Sequence, residues 1–230
     1  MTYRETMQEL EKHGTAQNVK VYKRHGAGEN LFGVSFANLE KLRKRIKVDH
    51  DLALDLWQSG NADARSLAVM IADPLKMTKR DLELWVGDTR YYMLIDLIVC
   101  YLAGKSLHAR TLMESWTLSN NEWFGQAGWD LLGMIAMQES ALNDRYFDKY
   151  LSMIESEIHH ARNRTRHAMN SALIAIGIRN GALEKKAIAA AKRIGKVEVD
   201  HGETGCKTPD AVQYILKAAS RKKKGSSVTK

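Results

Sequence analysis

Between residues 89 and 104 the chain reads TRYYMLIDLIVCYLAG, a nearly unbroken apolar run that carries one carboxylate in its middle. Its length suits a buried helix of about four turns. It falls short of the roughly 20 residues that span a bilayer. Such a helix needs apolar cover, so the flanking chain is expected to stack further helices on both sides of it. Tyr92 and Asp96 are four residues apart and so share a helix face, one turn from each other. An unpaired buried carboxylate is costly, so Asp96 must find donors or open onto a polar cavity.

The flanking chain is written for helices. Only two prolines occur in 230 residues, too few for most loop-rich or β-rich folds. Thr2 with Glu5 forms a capping-box pattern, and Ser35, Asn61 and Thr78 each precede an amphipathic segment. Residues 17–24 read as a short helix closed by His25-Gly26. In SFANLEKLRKRI the apolar positions Phe36, Leu39, Leu42 and Ile46 repeat at three and four, and the other face is basic. That basic face is either solvated or a phosphate track.

The helices are expected in antiparallel pairs with a period of roughly 35 to 40 residues, the mark of HEAT-like repeats. ARSLAVMIA, QAGWDLLGMIA and RHAMNSALIAIG carry small residues at similar places, where Ala and Gly allow close helix approach. After Gly195 the pattern changes. GKVEVDHGETGCKTPDA shows strand-type alternation at Val197 and Val199, and Thr208-Pro209-Asp210 predicts the start of a last helix running to about Ser220. The domain is drawn as residues 1–220, with 221–230 as a disordered basic tail.

The net charge of +8 favours an acidic partner, nucleic acid being the commonest. Half of that excess lies in the RKKKG stretch near the C-terminus. Two cysteines, Cys100 and Cys206, suggest neither a disulfide framework nor a zinc site, and point to a reducing compartment. The N-terminus reads as a charged amphipathic helix, not a signal peptide. A cytoplasmic protein with no membrane segment is expected.

Four constellations carry possible chemistry. Asp96 with Tyr92 either stabilises a developing cation or positions a water, or else Asp96 only caps or pairs with a neighbouring helix. In WTLSNNEWFGQAGW, Trp116 and Trp129 suit core wedges. Trp123, in the first turn of its helix, suits either the core or a groove holding a flat ligand. HHARNRTRHAMN crowds Arg162, Arg164, Arg166 and three histidines at a helix start. Cations there oppose the helix dipole, so the cluster calls for an acidic group, from a ligand or from the chain. It lacks the spacing of a metal site. His201, Glu203, Cys206 and Asp210 fall in a polar loop that serves either as a reactive-thiol site or as cover for the last helix.

Together these residues resemble the AlkD-like family of DNA alkylation-repair proteins, whose known members are HEAT-like-repeat 3-alkylpurine-DNA glycosylases. The resemblance runs from about Tyr22 to Ala219. It is anchored on Tyr91 to Asp96, on the SNNEW turn and on RHAMNSALIAIG. It implies a right-handed all-α stack whose concave basic side, bearing Asp96, holds duplex DNA. It places the catalytic carboxylate on Asp96, where it would stabilise positive charge on the deoxyribose as a cationic alkylpurine leaves. Tyr92 stands where the family has a tryptophan, and Tyr22 matches an N-terminal tyrosine. Gln126 replaces an arginine that frames the backbone, and Ser171 replaces a further tryptophan. A cation from Arg162, Arg164 or Arg166 would have to make up that loss. No metal and no organic cofactor is implied. The expected function is binding of duplex DNA with hydrolysis of 3- or 7-alkylpurines. The alternatives are a DNA binder that has lost this chemistry and a protein-interaction scaffold.

Overall fold

The computed structural model describes the backbone of residues 1–226 and the side chains through Arg221. Among these residues there are thirteen α-helices and no strand beyond one antiparallel bridge, Gly14 to Val34. The first seven helices are α1 (Tyr3–His13), α2 (Ala16–Arg24), α3 (Phe36–Ile46), α4 (His50–Gln58), α5 (Ala62–Ile71), α6 (Lys79–Gly87) and α7 (Tyr92–Tyr101). A 3-10 turn, Ala103–Lys105, follows α7. The rest are α8 (Ala109–Trp116), α9 (Glu122–Gln138), α10 (Asp144–Glu157), α11 (Asn163–Arg179), α12 (Gly181–Ile194) and α13 (Ala211–Ser226).

The boundaries follow the caps. Thr2 and Thr78 each close a capping box, with Glu5 and Asp81. Ser35, Asn61 and Asn121 accept from the first free backbone N–H groups of α3, α5 and α9. These N–H groups have no partner inside their helices, so a side-chain oxygen at the cap fixes where each helix begins.

The chain forms two compact units. The first comprises Met1–Leu112 with Gly202–Thr204, the second Met113–His201 with the described residues from Gly205 onward. In the first, α5 packs against α3 and α7, while α4 backs α5 and α6 backs α7. In the second, α11 packs between α9 and α13, while α10 and α12 pack on each other. Each unit is thus a pair of helical layers.

Glycines set the spacing in the second unit. A Cβ on Gly125 would lie 2.4 Å from Thr165 Oγ1, and one on Gly177 would lie 2.6 Å from Ile215 Cδ1. One on Gly128 would lie 2.5 Å from the backbone nitrogen of Thr117. Gly128 and Gly177, in two of the three repeated segments, do allow the close approach expected of them.

Four expectations need revision. Phe36 is 51% exposed, because α3 buries only Leu39 and Leu42. The stretch around Val197 and Val199 pairs with no strand. Instead, Asn163 Nδ2 donates to the Asp200 carbonyl at 2.7 Å, and Asp200 N–H donates to Asn163 Oδ1 at 2.8 Å. A side-chain amide thus plays the part of a neighbouring strand. The last helix starts at Ala211, not at Pro209 behind a Thr208 cap. Asp210 accepts from Gln213 N–H, while the Pro209 carbonyl accepts from Asn170 Nδ2 at 3.0 Å. Finally, α13 continues to Ser226, past the expected end at Ser220. The remainder of the predicted tail, 227–230, lies outside the described residues.

Candidate nucleic-acid interface

In the first unit, α7 buries Leu94, Ile95, Ile98 and Val99. Met93, Asp96 and Cys100 are exposed and recur at three and four, so they form one outward strip. The apolar run is therefore not buried all round, and the expected cost of burying Asp96 does not arise. Tyr92, one turn before it, is half-buried. Its hydroxyl is hydrogen-bonded to His25 Nδ1, and the two rings lie 5.8 Å apart at 57°. Tyr91 packs edge-on against Tyr92 at 6.3 Å.

His25 owes its place to the end of α2. Gly26 N–H donates to the Lys23 carbonyl and Ala27 N–H to the Tyr22 carbonyl, the bonding of a Schellman turn. Gly26 takes φ +87, which favours glycine. Tyr22 donates its hydroxyl to the Val34 carbonyl at 2.9 Å. The loop holding Val34 is fixed by Asp63, only 3% exposed. Its carboxylate accepts from the N–H groups of Phe32, Gly33 and Val34 at 2.7, 2.9 and 2.9 Å. Burial and then the Asp63 charge push the Tyr22 phenol above its ordinary range.

In the second unit, Trp116 and Trp129 are core residues at 3% and 1% exposure, as their spacing predicts. Trp123 is half-buried at the start of α9. Gln126 is buried at 4% and offers little surface to a backbone phosphate. Ser171 donates its hydroxyl back to the His167 carbonyl of its own helix. The acidic group that the arginine cluster calls for is Glu122. Its carboxylate accepts from Arg164 N–H at 2.7 Å, while Arg162, the N-cap residue, makes no side-chain cap.

The three arginines differ. Arg162 is exposed and donates Nε to the Asn120 carbonyl at 2.9 Å. Arg164 is half-buried. Arg166 is committed to the chain itself: its guanidinium donates to the carbonyls of Ile158, His159, Ala161 and Glu198. The expectation that Arg166 meets a phosphate gives way to a structural role, since its fork ties the α10–α11 turn to the segment after α12.

That segment borders a recess of about 1140 Å³, whose lining includes Arg166, Asn170, Ile194, Val199, His201 and Val212. His201 Nε2 lies 3.0 Å from Thr208 Oγ1, and its ring meets His167 edge-on at 5.5 Å. Burial, His201 and Arg164 hold His167 below the ordinary imidazole range. Burial and Arg164 do the same for His201. Cys206 is exposed. Among the described residues no three His, Cys, Asp or Glu side chains gather to hold a metal ion, and no helix is long and apolar enough to cross a membrane.

Sequence reasoning missed His25, Glu122 and Asp63 as organisers of these surfaces. Glu122 and Asp63 stand in the first turns of their own helices, and His25 precedes a terminating glycine, so none is marked locally for these roles. Their partners lie 42, 29 to 31 and 67 positions away, beyond any local pattern.

The family model described as DNA alkylation repair enzyme matches residues 6–215. The uncharacterised protein Lin0241 of Listeria innocua is 30% identical over 226 residues, covering 96% of this chain and 99% of that one. Lmo0209 of Listeria monocytogenes is 29% identical over 228 residues, covering 97% and 100%. One similar solved structure is described as a new family of proteins related to the HEAT-like repeat DNA glycosylases with affinity for branched DNA structures. It superposes with a TM-score of 0.88 at 32% identity, covering 96% of this chain and 95% of that one. The all-α, HEAT-like repeat class read from the sequence is the class of this fold.

Proposed function

From the premise that this chain belongs to the DNA alkylation repair enzyme family, we propose that it is a DNA-binding protein with a preference for branched over linear duplexes. The observation that carries this reading is the match along 96% of the chain to a protein with affinity for branched DNA. The net charge of +8 supports it, because phosphate neutralisation supplies most of the affinity in sequence-independent binding. In the second unit the exposed Arg162 and the half-buried Trp123 are the proposed contacts. A cation meets phosphate there, and an indole meets a sugar or base. In the first unit the proposed contacts are Tyr22, Tyr92 and the surface around Asp96.

A second reading, base excision, has one observation in its favour: Asp96 is exposed one turn from Tyr92. A carboxylate there would stabilise the oxocarbenium-like sugar as the N-glycosidic bond of a cationic alkylpurine breaks. The base would leave neutral, water would add at C1′, and one proton would be released. The buried Gln126 and the inward-bonded Ser171 weigh against it, since neither supplies the charge or ring found in the resembled glycosylases.

Binding to a four-way junction and to a linear duplex of equal length, titrated with salt, tests the main reading. Tighter junction binding that weakens steeply with salt is expected. Equal or salt-insensitive binding would count against it. Release of alkylpurine from methylated duplex by the wild-type chain, abolished in Asp96→Asn, would favour the second reading.

A further inference from the structure

The geometry points to His25 as a positioning residue for the DNA surface beside Asp96, acting by holding the Tyr92 ring in place. This inference rests on the DNA-binding reading above. Three observations, all within the first unit, carry it.

The first is the hydrogen bond between His25 Nδ1 and the Tyr92 hydroxyl. A tyrosine ring on a partly exposed helix face otherwise has freedom about χ1 and χ2. Tying its far end removes that freedom before any ligand arrives, which is how preorganisation improves binding.

The second is that His25 is itself held. It closes α2 in a turn that requires the positive φ of Gly26, and a Cβ on Gly26 would meet the Arg90 carbonyl at 3.7 Å. The end of α2 therefore lies against the residues that lead into α7. The start of α2 is anchored too: Thr15 caps it, and Asn18 Nδ2 donates to the Gly33 carbonyl at 3.0 Å, in the loop that the buried Asp63 fixes. An imidazole on so constrained a helix end works as a fixed post.

The third concerns ring shape. His25 and Tyr92 form a tilted two-ring pair, and Tyr91 extends it edge-on. The His25 and Tyr92 planes meet at 57°, so the imidazole braces the phenol at an angle and leaves the Tyr92 ring face as the contact surface, one turn from Asp96. The class of ligand suited to it is a deoxyribose or a displaced base, both of which rest on aromatic faces.

The test is a double-mutant cycle on junction affinity with His25→Ala, Tyr92→Phe and the pair, each checked for an unchanged melting temperature. Each single variant is expected to weaken binding about threefold to tenfold, the scale of one lost hydrogen bond. The pair should be no weaker than the worse single variant, because both changes remove one interaction. His25→Asn, whose amide reaches the position of Nδ1, should recover most of the affinity. A pair whose losses multiply, or a His25→Ala protein that binds like wild type, overturns the positioning role while leaving DNA binding intact. A wild-type chain that binds no DNA at all overturns the functional reading and this inference with it.

Discussion

Glu122, the first residue of α9, caps the start of α11 through a 2.7 Å hydrogen bond from Arg164 N–H to its carboxylate. Thr165 Oγ1 donates to the Glu122 carbonyl as well, at 3.1 Å. Side-chain caps normally come from the residue just before the helix. Here Arg162 holds that place, and the acid comes from a neighbouring helix. Glu122→Ala should therefore destabilise the protein by about 1–2 kcal/mol, more than an ordinary first-turn acid, whose dipole contribution is about 0.3–1 kcal/mol. Urea denaturation measures this. A loss below about 0.3 kcal/mol would show that the bond contributes little.

Gly128 and Gly181 offer a matched comparison. A Cβ on Gly128 would press on the Thr117 backbone, whereas one on Gly181 meets nothing within 4 Å. Gly128→Ala should cost about 1–3 kcal/mol through forced movement of backbone. Gly181→Ala should be neutral or stabilise by about 0.4–1 kcal/mol by limiting the unfolded chain. Thermal melts of the two variants check both signs.

Arg162 and Arg166 should separate cleanly in DNA binding. Arg162→Ala should reduce the slope of log affinity against log salt by about one, the mark of one lost phosphate contact. Arg166→Lys keeps the charge but loses the fork that reaches four carbonyls. It should lower stability by about 1–3 kcal/mol and leave the salt slope unchanged. A slope change in Arg166→Lys would place that side chain on the DNA.

Acid should weaken the second unit through its histidine pair. His167 and His201 both titrate below the ordinary value of 6.5 when folded. The unfolded chain then binds protons more readily than the folded one, so folding stability falls as pH drops through and below that value. Their stabilising contribution is complete above it, where both rings are neutral in either state. His167→Gln should flatten the pH dependence of the melting temperature on the acid side of neutrality. A profile unchanged by that substitution would assign the acid sensitivity elsewhere.

Much of the secondary structure was legible because caps are local. Thr2, Ser35, Asn61 and Thr78 act within three residues of themselves, so their roles stand in the sequence. The repeated small residues were legible too, since Gly128 and Gly177 leave room that their neighbours fill. The exposure of Asp96 was harder to read. The run around it is so apolar that it suggested burial on every side, but α7 leaves the strip of Met93, Asp96 and Cys100 uncovered.

The sequence by itself determined the helices, their caps, the small residues between them and the candidate carboxylate on α7. These depend on spacings of two to four residues, and such spacings translate directly into helix faces and free N–H groups. The tertiary structure alone decided which of the clustered cations is spent. Arg166 serves four backbone carbonyls while Arg162 stays exposed, though the two look alike in the chain. It also decided that His25 meets Tyr92 and that Glu122 caps α11. A charged or aromatic side chain takes its role from whichever partner folding brings within hydrogen-bonding reach. For His25 and Glu122 that partner is a helix or more away in sequence, and for Arg166 one of the four carbonyls, that of Glu198, is as distant.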